Sequence, residues 1–322
     1  MDVPRHERGP AIRIGISSCL LGQAVRFDGG HKRNNYVIDT LGRHFEFVPV
    51  CPEVAIGLGT PRQPVRLVGD TRRLRAVGTK DPTLDVTAAL ADYGRTKADE
   101  LHDLSGYILK RGSPSCGMER VKVYAGHGSP GRHGVGVYAR AIMEQLPALP
   151  VEEEGRLMDP VLRENFIQRV FVYHRWQSLA ASGLTAAKLV QFHTRHKFII
   201  LAHDERRYRQ LGRLVAKVGT EDLNTLAARY LMQLMQALGQ RATRKRHSNV
   251  LLHLAGYLKQ RLDAGDKAEL LALIEAYRAG RIPLVVPVTL FKHYLRRLPD
   301  PYLGRQHYLA PHPEALMLRN AI

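Results

Sequence analysis

The sequence predicts an α/β N-terminal domain built on a parallel, Rossmann-like sheet, followed by an all-α C-terminal domain. Three observations carry this. Short β-rich runs alternate with loop and helix signals over the first 150 residues, the pattern of a parallel sheet with crossovers. From about residue 159 the chain is rich in Ala, Leu, Arg, Lys and Gln, with few β-branched runs, a composition that favours helix. The 322 residues, 44% of them apolar, exceed what one domain usually holds.

Taken in order, residues 1–10 read as a disordered leader. Residues 12–18 form a first strand, and Cys19 follows it in SSCLLG. The polar stretch VRFDGGHKRNN leads to a helix-like segment at 36–41. Residues 45–50, FEFVPV, form a second strand, and Cys51 follows directly in CPE. Residues 54–66 are a Gly/Pro-rich loop, and 67–77 a hairpin or paired strands. The spacing of Ala and Leu over 84–104 predicts a long amphipathic helix. Residues 105–109 form a third strand, with Cys116 soon after in RGSPSCG. A fourth short strand at 121–124, a glycine-rich loop at 126–136 and a helix at 137–146 complete the domain. The boundary falls in PALPVEEEGRL, dividing the chain into domains at 11–155 and 156–322. Turns are expected at Gly183, Gly219 and Gly265.

Charge bounds the partners. The chain carries 48 basic and 30 acidic residues, a net +18. Residues 1–150 contribute +6 and residues 151–322 contribute +12. A polyanion, with nucleic acid the commonest soluble one, is the natural partner for such a field. Plain solubility would also account for scattered surface charge. No stretch approaches the ~20 apolar residues of a membrane helix, and the N-terminus lacks the apolar run of a signal peptide. A reducing cytoplasm is therefore expected.

Only three cysteines exist: Cys19, Cys51 and Cys116. Their odd number and long gaps argue against a disulfide framework. Any one of them reads as a small core residue. All three, however, lie just beyond the carboxyl ends of predicted strands, where open α/β sheets bind ligands. Structural zinc usually takes close Cys pairs, which are absent. A cysteine nucleophile leaves two thiols unexplained. A [4Fe–4S] cluster held by three thiolates, with one iron open to receive a sulfur atom, fits the count. A Cys₃His zinc site with His31 or His127 fits it as well. Glu53 stands two positions after Cys51, placed to move protons. Ser113 and Ser115 flank Pro114 just before Cys116, where their hydroxyls either meet a substrate or shape the turn.

The motifs SSCLLGQAVRFDGG, VPVCPEVAIGLGTPRQPVRL and RGSPSCGMERVKVY resemble those of the TudS-type thiouracil desulfidases. The resemblance spans residues 12–150 and keeps the order of all three motifs. It implies a [4Fe–4S] cluster on Cys19, Cys51 and Cys116, proton transfer by Glu53, and substrate positioning or protonation by Ser113. The second half, through LMDPVLRENFIQRVF, LVQFHTRHKFIILAH, RKRHSNVLLHLAGYLK and QHYLAPHPEALMLRN, resembles the YbgA-like domain. Fused, the two resemble the RudS-type enzymes, which remove sulfur from 4-thiouridine in tRNA, and the helical domain would then bind RNA. Free thiouracil or a 4-thio-nucleotide is a close alternative substrate. A cluster-bearing, nucleic-acid-binding redox sensor is the alternative of another class, though it leaves Glu53 without a role.

Other features carry weaker signals. GHGSPG at 126–131 matches GxGxxG in letters only, because Pro130 interrupts it and no βαβ unit follows. The helix after Gly134-Val-Gly136 could hold a phosphate at its N-terminus. RATRKRH is the densest basic run, and Arg241, Arg244, Lys245 and Arg246 are candidates for contact with an RNA backbone. Lys197, Arg206, Arg207 and Arg213 extend that surface. His193, His196 and His203 lack metal-ligand spacing and read as RNA-facing or structural. Trp176, Phe291 and Tyr294 read as core.

Overall fold

The computed structural model describes residues 11–70, 73–124 and 129–322. The expected leader at 1–10, the dipeptide 71–72 and residues 125–128, with the candidate ligand His127, lie outside them. The chain divides into two compact units, Met1–Met158 and Asp159–Ile322.

The first unit contains two four-stranded sheets. One joins β1 (Arg13–Ser17), β2 (Glu46–Val50), β5 (Gly106–Leu109) and β8 (Val151–Glu153) in the order β2-β1-β5-β8. All its pairings are parallel. The inner strands RIGIS and GYIL are buried nearly throughout, which is why they read as apolar runs rather than alternating ones. Gly15 sits where the sheet tolerates no side chain, since a Cβ there would come within 2.6 Å of the Tyr107 ring.

The second sheet orders β4 (Arg75–Gly78), β3 (Val65–Val68), β6 (Val121–Tyr124) and β7 (Gly131–Gly134) as β4-β3-β6-β7. The β3–β4 and β6–β7 pairs are antiparallel, and β3–β6 is parallel. Val65, Leu67, Ala76, Leu90, Val121 and Val123 share one core beneath it. Helix α2 (Thr87–Glu100) meets α3 (Val137–Gln145) at Gly94, whose missing Cβ would lie 2.6 Å from that of Ala141.

Several sequence expectations need correcting. The segment 121–124 is a strand, but it belongs to the second sheet and not to the parallel one. The fourth parallel strand is β8, within the acid-rich segment expected to be a boundary. Its acids are accommodated individually. Glu152 pairs with Arg156 at 2.6 Å, and Glu153 accepts the Met118 N–H at 2.9 Å. Segment 36–41 is not a regular helix but a π-type turn, Tyr36–Thr40, running into a 3-10 turn. Residues 126–128 of GxGxxG lie outside the described residues, and the rest of the glycine-rich loop contains a strand, β7, which Gly131 opens.

The second unit is helical: α4 (Pro160–Ala181), α5 (Ala186–His203), α6 (Glu205–Val215), α7 (Leu223–Leu238), α8 (Arg244–Leu258), α9 (Ala264–Arg278) and α10 (Val285–Arg297). Asp159, Thr185, Asp204, Asp222, Thr243 and Asp263 each cap a helix start through a side-chain oxygen. This is the favoured chemistry for otherwise unpaired N–H groups. Gly183 closes the last turn of α4 with φ of 78°, Gly219 lies in the turn between the paired Val218 and Glu221 with φ of 94°, and Gly265 lies inside the first turn of α9. Asp204 serves twice, as C-cap of α5 and N-cap of α6, and also binds Arg207 at 2.7 Å. Asp204→Ala is expected to lower stability by about 1–2 kcal/mol, measured by urea denaturation. A loss within error of zero would show the cap to be dispensable.

Trp176, Phe291 and Tyr294 are core residues, as expected. His196 and His203 are buried, and His193 bonds Tyr230 at 3.1 Å, so these histidines are structural. Among the described residues, no helix is long and apolar enough to cross a membrane.

Candidate active site

The three cysteines arrive from three strand ends. Cys19 lies in the 3-10 turn Ser18–Leu21 after β1, its carbonyl accepting the Lys32 N–H at 2.8 Å. Cys51 follows β2 as the N-cap of the short helix α1 (Pro52–Ala55). Cys116 sits in a turn closed by Ser113, whose Oγ accepts the N–H groups of Ser115 and Cys116 at 3.2 and 3.0 Å. That turn is braced from behind. The Pro114 and Ser115 carbonyls accept the N–H groups of Val137 and Ala139, both at 3.0 Å, in the first turn of α3. Gly136 allows this approach, since a Cβ there would meet the Ser115 oxygen at 2.5 Å. These N–H groups are therefore spent on the cysteine loop, and the helix start after Gly136 is not the phosphate site its sequence suggested.

All three thiols line one cavity of about 390 Å³, within the roughly 300–1,000 Å³ usual for small-molecule sites. Cys19 and Cys116 are buried and Cys51 is half-buried. Burial pushes the Cys19 thiol up to about 11, and it raises Cys51 and Cys116 too. Cys51 adds to the rise at both of its companions, and the Glu53 charge adds at Cys51 and Cys116.

Glu53, in α1, also faces this cavity. Its Oε2 accepts from Arg62 Nε at 2.9 Å and lies 2.8 Å from Nη2. Its Oε1 accepts from Ser115 Oγ at 2.8 Å. Arg62 is itself held by the carbonyls of Val25, at 2.9 Å, and Gly59, at 2.7 Å. The two serines thus divide their labour. Ser115 is fully buried and positions Glu53, while Ser113 lines the cavity. Because the Ser113 oxygen accepts two backbone N–H groups, its own proton remains available to a ligand.

Sequence reasoning missed Arg62 and the bond from Ser115 to Glu53. Arg62 lies within the stretch read only as a Gly/Pro-rich loop, and its sole signal is a cation nine residues beyond the acid in that motif. Removing this clamp by Arg62→Met is expected to slow turnover by about 10²-fold through misplacement of the carboxylate. Arg62→Lys should restore part of the rate, and equal steady-state rates in all three proteins would remove the clamp's role.

The structure also sorts the remaining candidates. His31 is exposed, its Nδ1 accepting the Arg33 N–H at 3.2 Å, and it does not line the cavity. Among the described residues, no three His, Cys, Asp or Glu side chains converge tightly enough for a single ion. In the helical unit, Arg244 donates to the Tyr277 and Ile282 carbonyls, and Arg246 to that of His203 at 2.6 Å. These two guanidiniums tie helix ends together. Arg241 and Lys245 are exposed, while Arg207 is engaged with Asp204.

Residues 14–154 match the family model described as 2-thiouracil desulfurase, and residues 197–313 match a family of unknown function, DUF1722. The uncharacterized protein YbgA of Escherichia coli is 34% identical over 154 residues, covering 48% of this chain and 91% of YbgA. The uncharacterized protein YbbK of Bacillus subtilis is 30% identical over 118 residues, covering 32% of this chain and 72% of YbbK. The chain belongs to the 2-thiouracil desulfurase family, with a YbgA-like domain joined to it. A solved structure, the [4Fe-4S]-dependent thiouracil desulfidase TudS, is 32% identical; it covers 46% of this chain and 93% of its own, with a TM-score of 0.37. In this desulfurase-family chain, the matched region begins inside β1 and ends just past β8.

Proposed function

We propose that this protein removes sulfur from 4-thiouridine in tRNA, giving uridine and hydrosulfide, with a [4Fe–4S] cluster held by Cys19, Cys51 and Cys116 in the cytoplasm. The observation that carries the reading is the meeting of three thiols from three strand ends with a clamped carboxylate in one cavity. The donor set fits the cluster. Three thiols that share a cavity without converging on one point suit a polynuclear cofactor, where each thiolate takes its own iron, better than one ion. When bound, such a cluster supplies a Lewis-acid site for the thiocarbonyl sulfur.

The chain's own residues then handle water and protons. Water adds to C4 of the base, the C–S bond breaks, and the sulfur departs as hydrosulfide. Glu53, its orientation set by Arg62 and Ser115, takes one proton from the attacking water and passes it to the departing sulfur, and the water's second proton is released to solvent as the C4 carbonyl forms. Ser113, on the cavity wall, directs its hydroxyl proton to the substrate. The unit from Asp159 onward carries 26 basic and 12 acidic residues, and this excess supports a polyanionic substrate. Arg241 and Lys245 are the members of the basic run best placed to meet RNA.

The test is anaerobic. The full chain is reconstituted with iron and sulfide and given bulk bacterial tRNA, and the near-ultraviolet band of 4-thiouridine is followed beside a Cys19→Ala control. Loss of the band with the parent alone is expected. An unchanged band with consumption of free 4-thiouracil would move the substrate to small molecules, and no turnover of either would overturn the reading.

A further inference from the structure

A second cavity, of about 450 Å³, adjoins the thiol cavity and shares Arg111 and Gly112 with it as wall residues. It is strongly basic. Arg111, Arg120, Lys122 and Arg132 line it, and all four are exposed. Among the described residues none of the four is in an ion pair, whereas the acids nearby are already engaged. Glu119 pairs with Arg156 at 2.7 Å, and the buried Glu153 accepts the Met118 N–H at 2.9 Å. The Arg156 guanidinium is further neutralised by Glu152 at 2.6 Å.

Two features make this more than a solvated basic face. Lys122 and Arg132 are direct partners across the antiparallel β6–β7 pair. Like charges opposite one another destabilise a sheet, so the placement works against the fold unless an anion lies between them. Arg120, at the entry to β6, is held at φ 55°. That left-handed conformation is uncommon for a non-glycine residue, and such strain tends to gather at ligand sites.

We propose that this groove holds the RNA phosphodiester backbone flanking the thiolated nucleotide, with Arg111 at the junction between strand and reacting base. The assignment rests on the desulfidase reading above. It places an RNA contact on the catalytic unit itself, in addition to the basic helical unit. Phosphate contacts of this kind fix register without reading sequence.

The test is Arg132→Glu in the reconstituted full chain, because it turns the like-charged pair into an opposite one. Thermal stability is therefore expected at or above the parent value, which separates binding from folding. The KM for thiouridine-containing tRNA should rise about tenfold, and the slope of log affinity against log salt should flatten by about one. Turnover of free 4-thiouracil and of 4-thiouridine monophosphate should match the parent. An unchanged tRNA KM and salt slope would overturn the inference. An equal rise in KM for the monophosphate would also overturn it, assigning the groove to a terminal phosphate. Fluorescence anisotropy with bulk tRNA decides the groove even if neither substrate is turned over, an outcome that would sink the desulfidase reading alone.

Discussion

Glu53→Gln is expected to lower turnover by about 10²–10⁴-fold, the range for losing a positioned acid–base group. The cluster absorbance is expected to survive, because the substitution leaves all three thiols in place. The change is close to isosteric, and the amide oxygen can still accept the Ser115 hydroxyl that now lies 2.8 Å from Oε1. Arg62 loses its counter-charge but keeps the Val25 and Gly59 carbonyls, so the loop around it stays tethered. A fall in rate with an intact absorbance spectrum isolates proton transfer from cofactor loading. Retained turnover would remove proton transfer from Glu53. Joint loss of rate and absorbance would make the carboxylate a structural support instead.

The largest stability effect is expected at Glu164, in α4. This side chain is buried, as are its neighbours His312, Arg319 and His247. The Glu164 carboxylate accepts from Gln168 Nε2 at 3.0 Å and has His312 Nε2 and Arg319 Nε each 3.7 Å away. Glu164→Ala would strand a buried guanidinium, and breaking a buried pair in this way costs about 3–5 kcal/mol. Urea denaturation of the full chain checks it, and a loss below about 1 kcal/mol would show the network to be no better than a surface pair.

The same cluster sets an acid limit. Burial alone would raise the Glu164 carboxyl, but His312 and Arg319 outweigh it and hold the group at about 2, against an ordinary 4.5. A depressed carboxyl contributes stability that is full above 4.5 and lost as pH falls towards 2, on the order of 3 kcal/mol. His247 works from the other side. Burial lowers it from 6.5 to about 3, so below pH 6.5 the unfolded chain takes up a proton that the folded one refuses. Stability should therefore start to decline just below pH 6.5 and keep declining towards pH 2. A flat melting temperature from pH 6.5 to 4.5 would contradict the His247 assignment, and a flat one from pH 4.5 to 2 would contradict that of Glu164.

Much of the site is legible in the amino-acid sequence. Strands β1, β2 and β5 stand out as apolar runs, and a cysteine after each one locates the cavity at their carboxyl ends. What the sequence hides depends on partners far apart along the chain. Lys122 and the acid-rich β8 cannot be assigned to a sheet from local pattern, because a strand's sheet is decided by which distant strand accepts its hydrogen bonds. Arg62 is hidden for a related reason: its partners Val25, Glu53 and Gly59 come together only when two loops fold over each other. The basic run at 241–246 misleads in part, since local charge density does not reveal that Arg244 and Arg246 are committed to helix-end carbonyls.

The bonds from the Cys116 turn to the first turn of α3 imply unequal stiffness around the thiol cavity. One wall can yield only by unravelling a helix that is itself locked to α2 at Gly94. The Cys51 wall rests on a single turn of four residues. Hydrogen exchange should show this as slow amides at Val137 and Ala139 and faster ones at Val54 and Ala55. Breathing of the cavity, and with it the admission of a base or of iron, would then occur as a hinge on the Cys51 side, with the Cys116 side as the fixed jamb.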